Sequence, residues 1–325
     1  MGAPCAAPRR PAVRGVGGLR DDVLVPELPE VDALASFLRA RAGGRAVTGV
    51  EVGTISALKT FSPAPEALVG RRVEDVSRHG KWIDLTLSAE GATTGPGTAP
   101  HLVTHLARAG WLRWSEQSPR TPLRPGRSPI ALRVRLDDGS GFDLTEAGTR
   151  KRLAVHIVAD PAEVPAIATL GVEPLSGEFT IERLGDLLAA RNQQVKGLLR
   201  DQGTIAGIGN AYSDEILHAA RMSPFAPTRS FDAERTAALH HAVVGVLGDA
   251  VAAATGQPAA ELKDAKRRGM RVHGRTGQPC PGADGTPCGD TVHEVSFADS
   301  SLQYCPTCQT GGRPLADRRM SRLLR

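Results

Sequence analysis

Apolar and polar positions repeat in two regimes along the chain. Val31, Leu34 and Leu38 recur at helical spacing, with Glu27 and Glu30 near the electropositive start, which predicts a helix over 30–42 closed by Gly43-Gly44. The pattern then becomes that of short strands, at 47–52, 72–76, 81–87, 102–106, 132–136 and 142–144, punctuated by Gly, Pro and Asp. Segments 93–100 and 115–129 read as loops. Helical spacing returns after about Asp160, predicting helices over 181–190, 195–200, 212–220, 233–253 and 259–266. Two short apolar segments, 291–297 and 302–304, close the pattern as a hairpin. The expected fold is α+β and multidomain. A β-sandwich with flanking helices occupies 26–158, a helical domain 159–271, a cysteine-bearing β-hairpin 272–312, and a basic tail 313–325. Residues 1–25 have no apolar period and read as an extension without a core.

Composition adjusts this picture in two places. At 325 residues and 41% apolar content the chain can fill ordinary cores. No stretch looks long enough to cross a bilayer, so no membrane partner is expected. The net charge is +5, and basic residues gather late, at Lys263, Lys266, Arg267, Arg268, Arg271 and Arg275 and again in the tail. Clustered positive charge predicts a polyanion partner bound in a salt-dependent manner.

The chain has five cysteines. Cys5 lies in the extension. The others form two pairs, Cys280 with Cys288 and Cys305 with Cys308, flanking the hairpin. No secretory signal accompanies them, which disfavours a disulfide framework. The pattern predicts one structural Zn²⁺ held by four cysteines, with His273 or His293 as competing ligands.

The sharpest chemical signal is Pro26-Glu27-Leu28-Pro29-Glu30-Val31. It sets a proline nitrogen beside a carboxylate where a helix starts. The hexapeptide resembles the amino terminus of the formamidopyrimidine-DNA glycosylase/endonuclease VIII family, whose mature enzymes begin with this proline. In that family the free secondary amine attacks the sugar of a damaged nucleotide. An amide nitrogen cannot do so, so the resemblance implies that the native chain begins at Pro26, with Val25 as a GTG start codon. An α-amine titrates near about 7.7–8.0, against about 10.4 for lysine, and is more available at neutral pH. Attack on the anomeric carbon expels the base and leaves an iminium ion, an electron sink that promotes β-elimination of the 3′ phosphate. Glu27 adjoins the nucleophile and can carry a proton.

Further motifs carry the resemblance across 26–312. Arg78-His79-Gly80-Lys81 resembles the family's Gly-Lys turn, which makes Lys81 a catalytic phosphate contact. His105-Leu106-Ala107-Arg108-Ala109-Gly110 is similar to the loop that fills the gap left by a flipped base, with Arg108 where methionine is usual. Arg152 is the nearest counterpart of a second gap-filling residue. Lys196, followed by Gly207-Ile208-Gly209-Asn210-Ala211-Tyr212, resembles the helix–two-turns–helix motif. There Gly207 and Gly209 would let backbone approach a phosphate, the helix start would face that anion, and Asn210 would cap the helix and donate to phosphate. The family's finger arginine, five residues before the third cysteine, is replaced by Ser300.

The resemblance implies a monomeric, cytoplasmic, bifunctional DNA glycosylase/AP lyase of base excision repair acting on damaged double-stranded DNA. The departures at Arg108 and Ser300 point to the endonuclease VIII-like branch, with slow δ-elimination. A purine-specific enzyme is the alternative within the class. If residues 1–25 are retained, the chain is instead a damaged-DNA-binding protein without lyase chemistry. Four cysteines close a zinc coordination shell, which argues against a zinc hydrolase.

Overall fold

The computed structural model describes residues 25–89, 99–124, 126, 128–147, 151–297 and 300–316. Helix α1 (Leu28–Ala42) leads into two four-stranded antiparallel sheets. One sheet has the order β1 (Val47–Val52), β6 (Ile130–Leu136), β7 (Gly141–Glu146), β5 (Gly110–Ser115). The other runs β2 (Val73–His79), β3 (Trp82–Leu87), β4 (His101–His105), β8 (Ala154–Val158). Alternation drives the packing. Ile83, Leu85 and Leu87 of β3 point inward, and so do Leu132, Val134 and Leu136 of β6; all are buried in one core with Leu34 and Leu38 of α1. This is the expected sandwich, with β5 and β8 as strands beyond those expected.

After the short α2 (Pro165–Ala168) the chain turns helical, through α3 (Ile181–Ala190), α4 (Val195–Arg200), α5 (Asn210–Ala219), α6 (Ala233–Ala254) and α7 (Leu262–Gly269). Leu198, Ile216, Leu239, Val243 and Leu247 form the centre of their core. The hairpin of β9 (His293–Ser296) and β10 (Ser301–Tyr304) follows, closed by α8 (Pro306–Thr310).

One expectation is corrected here. Helix α6, 22 residues long, is long and apolar enough to cross a membrane by length and composition. Its valines and leucines, with the alanines, supply that hydropathy, while one face, with Leu239, Val243 and Leu247, is buried in the helical core.

Each domain also lends residues to the other. Leu28, at the start of α1, is buried in the helical core. Ala254, Ala259 and Leu262 are buried in the sandwich core, and Trp111 Nε1 donates to the Ala259 carbonyl at 3.0 Å. The seam between the two domains is therefore packed from both sides, and the candidate site lies on it.

Candidate active site

Glu27 is 1% exposed, and its carboxylate lies across the seam at the start of α5. It accepts from the backbone N–H groups of Gly209 at 2.6 Å, Ala211 at 2.9 Å and Tyr212 at 3.3 Å. A helix start leaves such donors unsatisfied and electropositive, and here a side chain from the other domain takes them. The two glycines before the helix make this approach possible. A Cβ on Gly209 would lie 2.4 Å from Glu27 Cδ. A Cβ on Gly207, whose φ is +85°, would lie 2.8 Å from Leu28 Cβ, and Gly207 O accepts from Leu28 N at 3.0 Å. Both glycines thus admit the 27–28 peptide, and the anion facing the helix start is Glu27 rather than a phosphate. Burial pushes the Glu27 carboxyl up, but Lys266, Lys81 and the Ala211 N–H outweigh it, and the net shift is below the ordinary value. Glu27 is held ionised.

Lys81 enters the same cavity from the β2–β3 turn, where Gly80 adopts φ +55°. Its ammonium donates to the Ile208 carbonyl at 2.8 Å. Burial pulls its pKa down to about 8, with Glu27 opposing the fall and Lys266 and Arg200 adding to it. The turn is held by Arg78, whose guanidinium donates to Glu173 at 2.9 and 3.0 Å, to Asp32 at 3.1 Å and to Gly80 O at 2.9 Å. That planar fork ties β2 to the helical domain and to α1 at once. The cavity measures about 330 Å³ and is lined by Val25, Glu27, Lys81, Arg108, Arg200, Gln202, Gly209, Asn210 and Ser300.

A buried ion cluster lies behind Glu27. Lys266 of α7 donates to Glu30 Oε2 at 2.8 Å and to the Val25 carbonyl at 2.7 Å, with Glu27 Oε1 at 4.0 Å. Its ammonium stands 4.8 Å from the Tyr212 ring centroid, and the Tyr212 hydroxyl donates to Glu30 Oε1 at 2.7 Å. Burial and the adjacent Glu30 carboxylate hold the Tyr212 phenol well above its ordinary range. Sequence reasoning assigned Lys266 to a polyanion-binding cluster and missed this role. The available signal was the spacing of Leu262 and Lys266, which share a helix face, both buried. Arg271 and Arg275 of the same cluster also turn to backbone carbonyls.

The other expected residues divide. Pro26 is buried at the seam and follows Val25. Arg108 is exposed on the cavity rim, carried by a tight turn in which Ala107 has φ 53° and donates its N–H to His105 Nδ1. Arg152 is exposed and does not line this cavity; its backbone N–H donates to Glu146 at 2.7 Å. Lys196 is 6% exposed, and its ammonium pairs with Asp214 at 2.6 Å, Ser213 Oγ at 2.7 Å and Asn210 O at 3.1 Å. It is spent inside the helical domain and does not reach a backbone groove. Asn210 is the first residue of α5, and Gly209 occupies the cap. Its Nδ2 donates to Ser301 O of the hairpin at 2.8 Å, while Oδ1 is buried without a partner among the described residues. Asn210 therefore couples the helix to the finger, and its free valence is an acceptor.

The sulfurs of Cys280, Cys288, Cys305 and Cys308 lie within 4.8 Å of one another. The Cys280–Cys308 and Cys288–Cys305 separations are 3.9 and 3.5 Å, close to the edge of a tetrahedron with metal–sulfur bonds of about 2.3 Å. Gly282 N and Cys308 N point at sulfurs, and burial pushes the Cys305 thiol up to about 11. Four thiolates need a cation there, and the donor set fits a metal ion.

The family model described as the formamidopyrimidine-DNA glycosylase N-terminal domain matches residues 25–155, and that described as its H2TH domain matches 170–260. The chain is 35% identical over 294 residues to a formamidopyrimidine-DNA glycosylase of Chloroflexus aggregans, covering 88% of this chain and 98% of that protein. It is 54% identical over 164 residues to an uncharacterized formamidopyrimidine-DNA glycosylase-like protein of Mycobacterium tuberculosis, covering 50% of this chain and 99% of that one. In fold it is similar to the Lactococcus lactis enzyme solved with abasic-site DNA, with a TM-score of 0.73 at 22% identity over 87% of this chain and 99% of that one.

Proposed function

We propose, for a chain that belongs to the formamidopyrimidine-DNA glycosylase family, a bifunctional glycosylase/AP lyase that uses Pro26 as its nucleophile. The observation that carries the reading is the shared cavity beside Pro26, lined by Glu27 held ionised and by Lys81 at about 8. With Pro26 terminal, its nitrogen bonds to C1′ of the damaged nucleotide and the C1′–base bond breaks. Glu27 takes the proton that the amine sheds and returns it to the departing base. The nitrogen lone pair then opens the C1′–O4′ bond, O4′ gains a proton, and an iminium remains. Loss of a C2′ proton follows, the C3′–O bond breaks, and the 3′ phosphate leaves. Water hydrolyses the iminium and restores the amine.

Lys81 steadies the phosphate beside the lesion. Arg108 stands on the rim as the candidate wedge in damaged double-stranded DNA. The arginine in the wedge loop and Ser300 in the finger favour oxidised pyrimidines or abasic sites, the endonuclease VIII-like branch, with δ-elimination slow. The four cysteines hold one Zn²⁺, which fixes the finger's fold and takes no part in the reaction. The enzyme acts in the bacterial cytoplasm as a monomer.

A second reading has its own support. Val25 acylates the Pro26 nitrogen in the chain as it stands, and a protein that keeps this bond binds damaged DNA without cutting it. Borohydride trapping on an abasic-site oligonucleotide separates the two. Protein whose intact mass begins at Pro26 forms a covalent adduct, and protein beginning at Met1 does not. Absence of an adduct with both forms overturns the lyase reading.

A further inference from the structure

We propose that Lys266 is a positioning residue for this chemistry, its buried ammonium keeping the Pro26 amine unprotonated and nucleophilic at neutral pH. The inference rests on the reading that Pro26 becomes the chain's terminus. Lys266 stands on α7, outside every motif that the resemblance supplied. Its Nζ lies 2.7 Å from the Val25 carbonyl oxygen. That oxygen and the Pro26 nitrogen share one carbon, so the ammonium stands within roughly 5 Å of the nitrogen.

Lys266 is held there from several directions. Glu30 accepts at 2.8 Å, the Tyr212 ring lies beneath, and the side chain is 2% exposed. The ammonium does not depend on Val25 for its place and keeps it when the chain begins one residue later. Its field then acts on a free secondary amine.

The sign follows from the charges around that amine. Glu27, which caps α1, and Glu30 within it favour its protonated form. Lys266 opposes them, joined by Lys81 from the β2–β3 turn and Arg200 from α4, while His273 beyond α7 is turned to Asp214. Tyr212 from α5 stays neutral. Removing Lys266 takes away a positive charge close to the amine and leaves the Glu30 carboxylate with only the Tyr212 hydroxyl and the Glu27 N–H as donors, and both changes favour the protonated, unreactive amine. At an effective dielectric of about 20 and roughly 5 Å, one charge moves an amine's midpoint by on the order of two pH units. Pairing with Glu30 offsets part of this, so one to two pH units is the expected range.

The test is the pH profile of adduct formation with an abasic-site oligonucleotide and cyanoborohydride, using protein verified by mass to begin at Pro26. In Lys266→Met the acid limb moves up by roughly one to two pH units. Trapping at pH 7 falls by about ten- to a hundredfold, and the two profiles converge at high pH. Lys266→Arg keeps the charge and stays near wild type. Glu30→Gln with Lys266 intact moves the limb the other way, which preserves the test if the methionine variant folds poorly. A limb that stays in place in Lys266→Met, whatever the overall rate, overturns the inference, as does an upward or absent shift in Glu30→Gln. Failure of the wild-type protein to trap is a different result: it overturns the proline reading itself, and this inference with it.

Discussion

Replacing Gly209 with alanine should break the site while adding a single methyl group. The new Cβ would lie 2.4 Å from Glu27 Cδ and 2.6 and 2.7 Å from its two oxygens. Carbon atoms in contact prefer about 3.5–4.0 Å, so the carboxylate must retreat by about 1 Å. It has nowhere to go, because the Ala211 and Tyr212 N–H groups and the Lys266 ammonium already fix its position. Losing one charge-assisted hydrogen bond costs about 1.5–3 kcal/mol, and overpacking about 1–3 kcal/mol. The sum expected is about 2.5–6 kcal/mol of stability. Misplacement by about 1 Å should also slow covalent trapping by on the order of a hundredfold. Urea unfolding followed by tryptophan fluorescence reads the first quantity and borohydride trapping the second. Gly197→Ala is the control, since a Cβ there meets nothing nearer than 3.9 Å and α4 should gain from alanine by about 0.5–1 kcal/mol. A Gly209→Ala protein within 0.5 kcal/mol of wild type and unimpaired in trapping would refute the packing argument.

Three further outcomes are expected. Because burial lowers Lys81 to about 8 from 10.5, the unfolded chain binds the extra proton between those values, and folded stability climbs with pH across that window. Lys81→Met should flatten the climb and add on the order of 1–3 kcal/mol at pH 7, since Gln202 still donates to Ile208 O, while trapping falls; urea midpoints at several pH values decide it. Arg78→Lys keeps the charge but not the fork on Glu173 and Asp32, and should lower stability by about 2 kcal/mol, read from the same urea midpoints; an unchanged midpoint would count against the clamp. Metal analysis should find one zinc per chain, and chelation should release hydrogen-exchange protection in the finger, whose described residues form just two small apolar clusters, Val272, Val292, Cys280 and Cys305 in one and Val295, Leu302 and Tyr304 in the other, while the sandwich stays protected.

Local patterns carried much of the fold. The helical spacing of Val31, Leu34 and Leu38 and the alternation of Ile83, Leu85 and Leu87 correspond to faces that are buried. Strand β5 was not legible because it opens on Gly110 and buries Gly110, Trp111 and Leu112 in succession without alternation, whereas β8 does alternate, with Val155 and Ile157 buried between half-buried Ala154 and His156, and that signal was missed. The four cysteines could be read as one cluster from their spacing. The motif at Gly207–Tyr212 was also legible, but what it receives was not, since a helix start offers the same donors to a phosphate and to a carboxylate. Only the fold reveals that Glu27 arrives there from 182 residues away. Lys196 and Lys266 show the same limit. A lysine in a basic run has the same letter whether its ammonium faces solvent or a buried carboxylate.

That separation also sets when the site can exist during the protein's own synthesis. Glu27 emerges early, but its N–H partners are made 182 residues later. At roughly 5–20 residues per second, about ten to forty seconds pass between the two. In that interval the sandwich strands can pair while the core still lacks Ala254, Ala259 and Leu262, and the Glu27 carboxylate lacks the N–H groups of α5. On the proposed lyase reading, a growing chain tethered to its messenger therefore carries an unassembled nucleophile among nucleic acids, and reactivity arrives only when the second domain docks.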